Sequence, residues 1–166
     1  MSANIRPART PDVGAIHDLI AEYTEDRRML AKAMVTLYED VQEFIVVERD
    51  GEIVACGALH VMWEDLAEVR SLAVRHDSVR EGLGSQVLRV LLDRAQVLGI
   101  ERVFCLTFET EFFGQHGFVE FEGTPVEHEV FEQLLQSFDE GVAEFLDLER
   151  VKPNTLGNHR MLMLLR

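Results

Sequence analysis

Apolar residues recur along the chain with two different periods, and each period predicts a kind of element. In residues 11 to 23, and again around residues 30 to 41, apolar side chains recur every three or four positions, which predicts two amphipathic helices. Apolar runs of four residues, in contrast, stand on either side of Asp50 and Gly51. Asp-Gly is favoured in two-residue turns because both central residues need positive φ, so these runs should form a β-hairpin.

The longest patterned stretch extends from Leu66 to Gly99. It begins with a mixed apolar run, passes a polar turn that contains Gly82 and Gly84, and continues with apolar residues at helical spacing. Glycines allow a tight turn, and the first amides of the following helix lack partners within it and lie at the positive end of its dipole. The stretch therefore predicts strand, turn and helix with an anion site, for which phosphate is suitable. The alternative is an ordinary loop-to-helix junction, because glycine turns are common.

The remaining pattern completes an α/β domain. Residues 103 to 107 form a short apolar strand, and a brief helix and another strand follow. A further helix should begin at Thr124 and Pro125, and an apolar strand closes the chain. This order predicts a mixed central β-sheet with helices on both faces. The sequence has no internal repeat or long linker, so we expect a single domain over residues 1–166.

Composition and charge restrict the partners. The net charge of -14 argues against a nucleic-acid or anionic membrane surface, which would need clustered Lys and Arg.

Cys56 and Cys105 are the two cysteines, and each lies in an apolar run. With no signal peptide and no long apolar segment in the sequence, they predict a cytoplasmic protein. No metal is expected, because the chain has neither C-x-x-C nor H-E-x-x-H and its six histidines are scattered.

Several stretches resemble a known family. The fourth strand, signature turn and following helix of the GCN5-related N-acetyltransferases, the GNAT enzymes, resemble LAEVRSLAV, VREGLGS and QVLRVLLDRAQVLG. The short N-acetylglutamate synthases of bacterial arginine biosynthesis are more closely similar, in four stretches: MLAKAMVTLYEDVQEFIVVERDGEIVACGALH, AEVRSLAV, RVFCLTFETEFFGQHGF and VKPNTLGNHRMLML. The resemblance implies the GNAT fold and an acetyl-CoA-dependent amino-acid N-acetyltransferase.

The resemblance also implies where acetyl-CoA binds. The family's turn holds the pyrophosphate mainly through backbone N–H groups, and its fourth strand splays from its neighbour and offers backbone groups to the pantetheine and the thioester carbonyl. Placing the family's glycines on Gly82 and Gly84 puts Val79 where a basic residue is expected and displaces Arg80 by one position. The residues implied to bind the coenzyme are Leu72, Ala73, Val74, Arg80, Glu81, Gly82, Leu83, Gly84 and Ser85.

Acetyl transfer to an amino acid requires a neutral amine, so a base or a water chain must first take a proton from the ammonium group. The resemblance gives this role to Glu68, in a mostly apolar strand; alternation alone leaves an outward-facing position open. Thr107 lies where related synthases have a hydroxyl near the thioester, and its alternative role is to cap the next segment. That segment, EFFGQHGF, lacks the tyrosine with which many GNAT enzymes protonate the thiolate. The coenzyme then leaves as a thiolate, or a hydroxyl or a water molecule supplies the proton instead of a tyrosine.

A glutamate substrate carries two carboxylates, so its pocket needs at least two cations or good N–H donors. The resemblance places Lys32 and Arg160 at substrate-binding cations of the family. Arg70 lies two residues after Glu68 and should project to the same side of its strand. For each of the three, a solvated surface charge is the alternative.

These features predict transfer of acetyl from acetyl-CoA to the α-amine of L-glutamate in a ternary complex, without a covalent acetyl-enzyme, as the first step of arginine biosynthesis. Two alternatives stay open. One is an N-acetyltransferase for another small amino acid or amine, and the other is a non-catalytic acyl-CoA sensor. A homodimer paired through edge strands or C-terminal elements also stays open, and regulation by arginine does not follow from the sequence.

Overall fold

The computed structural model describes residues 3–25, 32–147 and 159–165. The chain divides into two compact units, Met1–His60 with Val69–Arg94 and Val61–Glu68 with Ala95–Arg166. Two strands, Glu52–Trp63 and Leu66–Val74, have residues in both units. A single domain over the whole chain stays a prediction.

The first unit contains the N-terminal elements and most of the central stretch. Its elements are β1 (Asn4–Pro7), α1 (Val13–Glu25), α2 (Met34–Glu39), β2 (Phe44–Arg49), most of β3 (Glu52–Trp63), most of β4 (Leu66–Val74) and most of α3 (Leu83–Leu98). The strands β1, β2 and β3 are antiparallel neighbours. Asp50 and Gly51 have φ values of 55° and 81°, which confirms the predicted two-residue hairpin turn.

One face of α1 forms the core of this unit. Val13, Ile16 and Ile20 are buried at helical spacing, as the sequence predicted, and they pack with Leu37 of α2 and Phe44 of β2. The helix predicted around residues 30 to 41 is α2, and its predicted first residues, 30 and 31, lie outside the described residues. The core therefore fixes α1 and α2 against the sheet.

The second unit contains the remaining helices and strands that the structure describes. They are β5 (Arg102–Thr107), α4 (Thr110–Gln115), β6 (Val119–Glu120), α5 (His128–Leu134), α6 (Glu140–Leu146) and β7 (His159–Leu164). β5 pairs in parallel with the start of β4 and antiparallel with β7, and β7 also pairs with β6. Phe104 and Phe145 are both fully buried in this unit's core, with ring centroids 5.3 Å apart.

The helix predicted to begin at Thr124 and Pro125 begins at His128 instead, so this prediction was wrong. The backbone at Thr124 makes a tight turn in which the N–H of Val126 donates to its carbonyl at 2.8 Å, and Glu127 is extended. The acidic segment that follows forms a separate helix, α6, whose start is capped by Asp139 accepting from the Val142 N–H at 3.1 Å.

In the part of the chain that the structure describes, the sheet has seven strands in the order β1-β2-β3-β4-β5-β7-β6. It is mixed, because β4 and β5 are parallel while the pairs β1–β2, β2–β3, β5–β7 and β6–β7 are antiparallel. The predicted fold class, a mixed central sheet flanked by helices, is confirmed.

Candidate active site

The turn between β4 and α3 has the backbone shape that an anion site requires. Arg80 and Gly82 both have positive φ, 68° and 80°, and α3 begins at Leu83. The N–H of Gln86 donates to the carbonyl of Gly82 at 3.1 Å, which closes the first helical turn. A Cβ at Gly82 would meet no atom within 4 Å, so the space beside the turn is open. These features fit a pyrophosphate held by amides at a helix N-terminus.

A guanidinium from β2 supports this turn. Nη1 of Arg49 donates to Oε1 of Glu81 at 2.5 Å, and Nη2 of Arg49 donates to the Ser78 hydroxyl at 2.7 Å. Ser78 is fully buried. Arg49 thus anchors the turn on both sides of Arg80. Sequence reasoning missed Arg49, because it is 29 residues before Ser78 and no local pattern joins the two.

The strand β4 is irregular beside the predicted coenzyme residues. Ser71 has φ of 55°, a conformation that costs energy for a side chain other than glycine. The described register with β5 ends at the pair Glu68 and Phe104, although β4 continues to Val74 and β5 to Thr107. The splay of β4 from its neighbour, which the resemblance implies, stays a prediction. The coenzyme contacts of Leu72, Ala73 and Val74 stay predictions.

Glu68, the predicted base, is a buried carboxylate with 6 % exposure. Its charge contributes to raising the pKa of Cys105 and of Glu144, although burial is the larger cause for both. Glu68 therefore acts electrostatically within the core of the second unit. It does not take the outward-facing position that the sequence left open.

Thr107 is also buried, at the end of β5. Its hydroxyl oxygen accepts from the Glu109 N–H at 2.8 Å, immediately before α4. This is the capping arrangement that the sequence analysis gave as an alternative. A hydroxyl that accepts there still has its own proton to donate, so a role near the thioester stays a prediction.

Two of the three predicted substrate cations influence the pKa of one carboxyl group. Burial and the neighbouring Glu43 charge raise the pKa of Asp40, while the charges of His60, Arg70 and Lys32 act to lower it. Lys32 and Arg70 are thus within electrostatic reach of the same carboxylate. Oε2 of Glu43 lies 2.9 Å from Nδ1 of His60. The other carboxylate oxygen of Glu43, Oε1, is buried and has no hydrogen-bond partner among the described residues.

Arg160, the third predicted cation, is engaged by backbone carbonyls of its own unit. Its Nε donates to the carbonyl of Glu144 at 3.1 Å, and its Nη2 donates to Phe145 and, at 2.8 Å, to Gly123. The guanidinium carbon lies 4.3 Å from the centre of the Phe121 ring. Burial lowers the pKa of Arg160 below its ordinary value. The structure therefore gives Arg160 a clamping position at the end of α6, and its substrate contact stays a prediction.

Neither cysteine has the surroundings of a nucleophile. Cys56 and Cys105 are free and buried. Burial raises the pKa of the Cys56 thiol to about 12 and that of the Cys105 thiol well above its ordinary value. Both are therefore protonated at neutral pH, which does not suit a thiol that would carry an acetyl group.

No group of three or more His, Cys, Asp or Glu side chains in residues 3–25, 32–147 and 159–165 could hold a metal ion. In the same ranges, no helix combines the length and the apolar character needed to cross a bilayer.

Comparison with known proteins identifies the class. Residues 4–119 match the model of the acetyltransferase (GNAT) family. An amino-acid acetyltransferase of Mycobacterium tuberculosis is 54% identical over 164 residues, which span 97% of this chain and 94% of that protein. An amino-acid acetyltransferase of Aeromonas salmonicida is 34% identical over 128 residues, 75% of this chain but only 29% of the longer relative.

Solved structures agree with this result. Rv2747 of Mycobacterium tuberculosis, solved in complex with CoA, superposes with a TM-score of 0.94 at 53% identity and covers 98% of this chain and 99% of its own. An N-acetylglutamate synthase of Neisseria gonorrhoeae has a TM-score of 0.79 at 24% identity, over 100% of this chain and 36% of that one. The chain therefore belongs to the acetyltransferase (GNAT) family. It is an acetyltransferase that uses acetyl-CoA as its co-substrate.

Proposed function

We propose that the protein acetylates the α-amine of L-glutamate, as an N-acetylglutamate synthase in the first step of arginine biosynthesis. Three kinds of support converge on this proposal: the family, the 54% identical relative called an amino-acid acetyltransferase, and the charges around Asp40. The two free, buried cysteines support a reducing compartment, and we propose the cytoplasm.

The observation that carries the proposal is the pair of cations that acts on Asp40. The chain has a net charge of -14, yet Lys32 and Arg70 lie within electrostatic reach of one carboxylate. An acceptor with two carboxylates needs two cationic partners, because charge-assisted hydrogen bonds are the strongest contacts available to it. We propose that Lys32 and Arg70 bind these carboxylates and that Arg160 adds a third contact.

The proposed reaction is a direct transfer. Acetyl-CoA supplies the acetyl group as a thioester. Glu68 takes a proton from the substrate ammonium, directly or through water, so that the neutral amine can attack the thioester carbonyl. The new N–C bond forms, the C–S bond breaks, and the sulfur leaves as a thiolate.

We propose that the thiolate forms near the end of β5. The helix α4 carries Phe112 and Phe113 where many related enzymes have a tyrosine, and neither ring offers a proton. A thiolate is an acceptable leaving group because the pKa of a thiol is about 8.5. We propose that solvent or the Thr107 hydroxyl supplies the proton.

The coenzyme end of the site is the turn at residues 80 to 85. The backbone amides of this turn, with Arg80 beside them, bind the pyrophosphate. Arg49 contributes by holding Glu81 and Ser78, which fixes the backbone between them. The amides are then oriented before the coenzyme arrives, which lowers the entropic cost of binding.

One observation favours a second acceptor. Three backbone carbonyls accept hydrogen bonds from Arg160, so this guanidinium is already engaged within its own unit. An amino acid with a single carboxylate, such as L-glutamine, needs fewer cations than L-glutamate and does not require the contact proposed for Arg160. This second candidate keeps the turn and Glu68 and changes only the side-chain preference.

The test is thiol release from acetyl-CoA by the purified protein, with a panel of amino acids and amines at saturating concentration. Release that is greatest with L-glutamate supports the proposal, and release that is greatest with a monocarboxylate amine supports the second candidate. Clear CoA binding without release for any amine would instead indicate an acyl-CoA sensor.

A further inference from the structure

The hydroxyl of Tyr23 makes an unusual contact with the backbone of β4. It donates to the carbonyl of Val74 at 2.7 Å, and it lies 3.4 Å from the Val74 N–H, from which it accepts. One side-chain oxygen therefore serves both polar groups of a single strand residue. The ring of Tyr23, near the end of α1, meets the His76 ring edge to face with centroids 5.2 Å apart.

The two backbone groups of Val74 face away from β3. The next residue, Arg75, donates its N–H to Val54 of β3 at 2.8 Å, and successive residues of a strand present their backbone groups to opposite sides. On the side of Val74, the described register with β5 has already ended, at Glu68. The Tyr23 hydroxyl thus occupies the position at which a neighbouring strand would form its hydrogen bonds.

A coenzyme arm with amides has the same pattern of groups as a strand. Each of its amides offers one N–H and one C=O, which match the C=O and N–H of Val74 in the way that an added β-strand does. The N–H of Val74 cannot make a full hydrogen bond to both the tyrosine oxygen and an amide oxygen. The hydroxyl and the coenzyme arm are therefore mutually exclusive partners.

We infer that Tyr23 is an internal competitor of acetyl-CoA, because its hydroxyl satisfies Val74 in the free enzyme and leaves when an amide of the coenzyme arm binds there. The inference rests on the proposed coenzyme role of Leu72, Ala73 and Val74. It assigns to Tyr23 a role in setting coenzyme affinity, separate from proton transfer.

The variant Tyr23→Phe separates this role from a purely structural one. The substitution removes hydrogen bonds of the free enzyme that the bound enzyme does not make, so the coenzyme should bind more tightly. Loss of one to two hydrogen bonds in the free state corresponds to about a three- to tenfold decrease in Kd for CoA. The KM for acetyl-CoA should fall likewise, and the KM for the amine should not change.

The chain offers a matched control in its other tyrosine. Tyr38 is exposed on α2, and Tyr38→Phe removes the same hydroxyl from a position outside β4. Calorimetric titration of CoA into the wild type, Tyr23→Phe and Tyr38→Phe should show tighter binding in the first variant alone. Unchanged or weaker binding in Tyr23→Phe would overturn the inference. Absence of CoA binding in the wild type would instead contradict the coenzyme site itself.

If Tyr23→Phe does not fold, the inference can still be tested on protein that retains Tyr23. Because the sequence has two tyrosines, protein labelled with 3-fluorotyrosine should give two fluorine resonances, and Tyr38→Phe assigns them. Saturation with CoA should move the Tyr23 resonance towards that of an exposed tyrosine. A Tyr23 resonance that does not move at saturation would contradict displacement of the hydroxyl.

Discussion

Glu68 lies opposite Phe104 in the last described pair of the parallel register between β4 and β5. The carboxylate is buried, and three residues later Ser71 has positive φ. The proposed base therefore sits where regular pairing of β4 ends, and the backbone beyond it is not committed to β5 in the described register. A strand of this form holds a side chain firmly on one side of the irregularity and offers backbone groups on the other.

The Glu68→Gln variant tests the proposed base. An amide of the same shape cannot take a proton, so kcat should fall about 10²- to 10⁴-fold, the range for loss of general base catalysis. The Kd for CoA should stay the same, because the predicted coenzyme contacts do not include this side chain. Steady-state kinetics and calorimetry measure the two quantities. Turnover equal to that of the wild type would remove Glu68 from catalysis.

The Arg49→Met variant tests the anchor of the turn. Loss of the guanidinium releases Glu81 and Ser78, so the turn becomes less ordered before binding. The Kd for CoA should rise about threefold to tenfold, because part of the ordering that Arg49 provides must then be supplied when CoA binds. Arg89→Met, on the exposed face of α3, is the matched control and should bind as the wild type does. An equal change in both variants would contradict a specific role for Arg49.

The ion pair of Arg6 and Asp12 predicts a dependence of stability on pH. Arg6 donates to both carboxylate oxygens, at 2.8 and 3.0 Å, and the Arg9 N–H donates at 2.7 Å. The hydrogen bonds from Arg6 lower the pKa of Asp12, with a smaller contribution from Arg9. Stability from this group is therefore present above the ordinary carboxyl pKa of about 4 and is lost as pH falls through the lowered value.

The Asp12→Asn variant measures that contribution. At pH 7 its free energy of unfolding should be lower by about 1 to 3 kcal/mol, because a partly buried guanidinium loses its anionic partner. The difference from the wild type should shrink as the pH falls below about 4 and through the lowered pKa of Asp12, at which the native carboxylate becomes protonated. Urea melts at several pH values give both results. A difference that does not depend on pH would show that the charge of Asp12 is not the cause.

The Arg160→Met variant separates the clamp from the predicted substrate contact. The carbonyls of Glu144 and Phe145 in α6 and the carbonyl of Gly123 lose their donor. The free energy of unfolding should therefore fall by about 2 kcal/mol. Arg160→Lys should recover only part of this, because an ammonium cannot reproduce the planar fork. Unchanged stability together with a raised KM for the amine would favour the substrate role over the clamp.

Local signals in the sequence predicted much of the fold. Asp50 and Gly51 require a two-residue turn, and the apolar spacing in α1 allows one buried face, so both elements agreed with the structure. The turn at Gly82 was predicted for a similar local reason, since glycine adopts positive φ without steric cost. The start of α5 was not predicted, because the cap signal at Thr124 was overridden by a tight turn there.

The contacts that complete the candidate site are long-range. Tyr23 and Val74 are 51 residues apart, and Arg49 and Glu81 are 32 apart. No rule of sequence spacing predicts either contact. An arginine or tyrosine in an amphipathic pattern is usually a surface residue. The engagement of Arg160 by carbonyls of α6 was hidden for the same reason, because the sequence does not show which helix end a strand residue meets.

The most direct measurement is the ratio of kcat/KM for L-glutamate to kcat/KM for L-glutamine with the wild-type protein. The two acceptors have nearly the same shape and differ in the charge of the side-chain carboxylate. If Lys32 and Arg70 bind two carboxylates, L-glutamate should be preferred by about tenfold or more, since the neutral amide leaves a cation without its charged partner. Equal values, or a preference for L-glutamine, would contradict the acetylation of L-glutamate as the function of this protein.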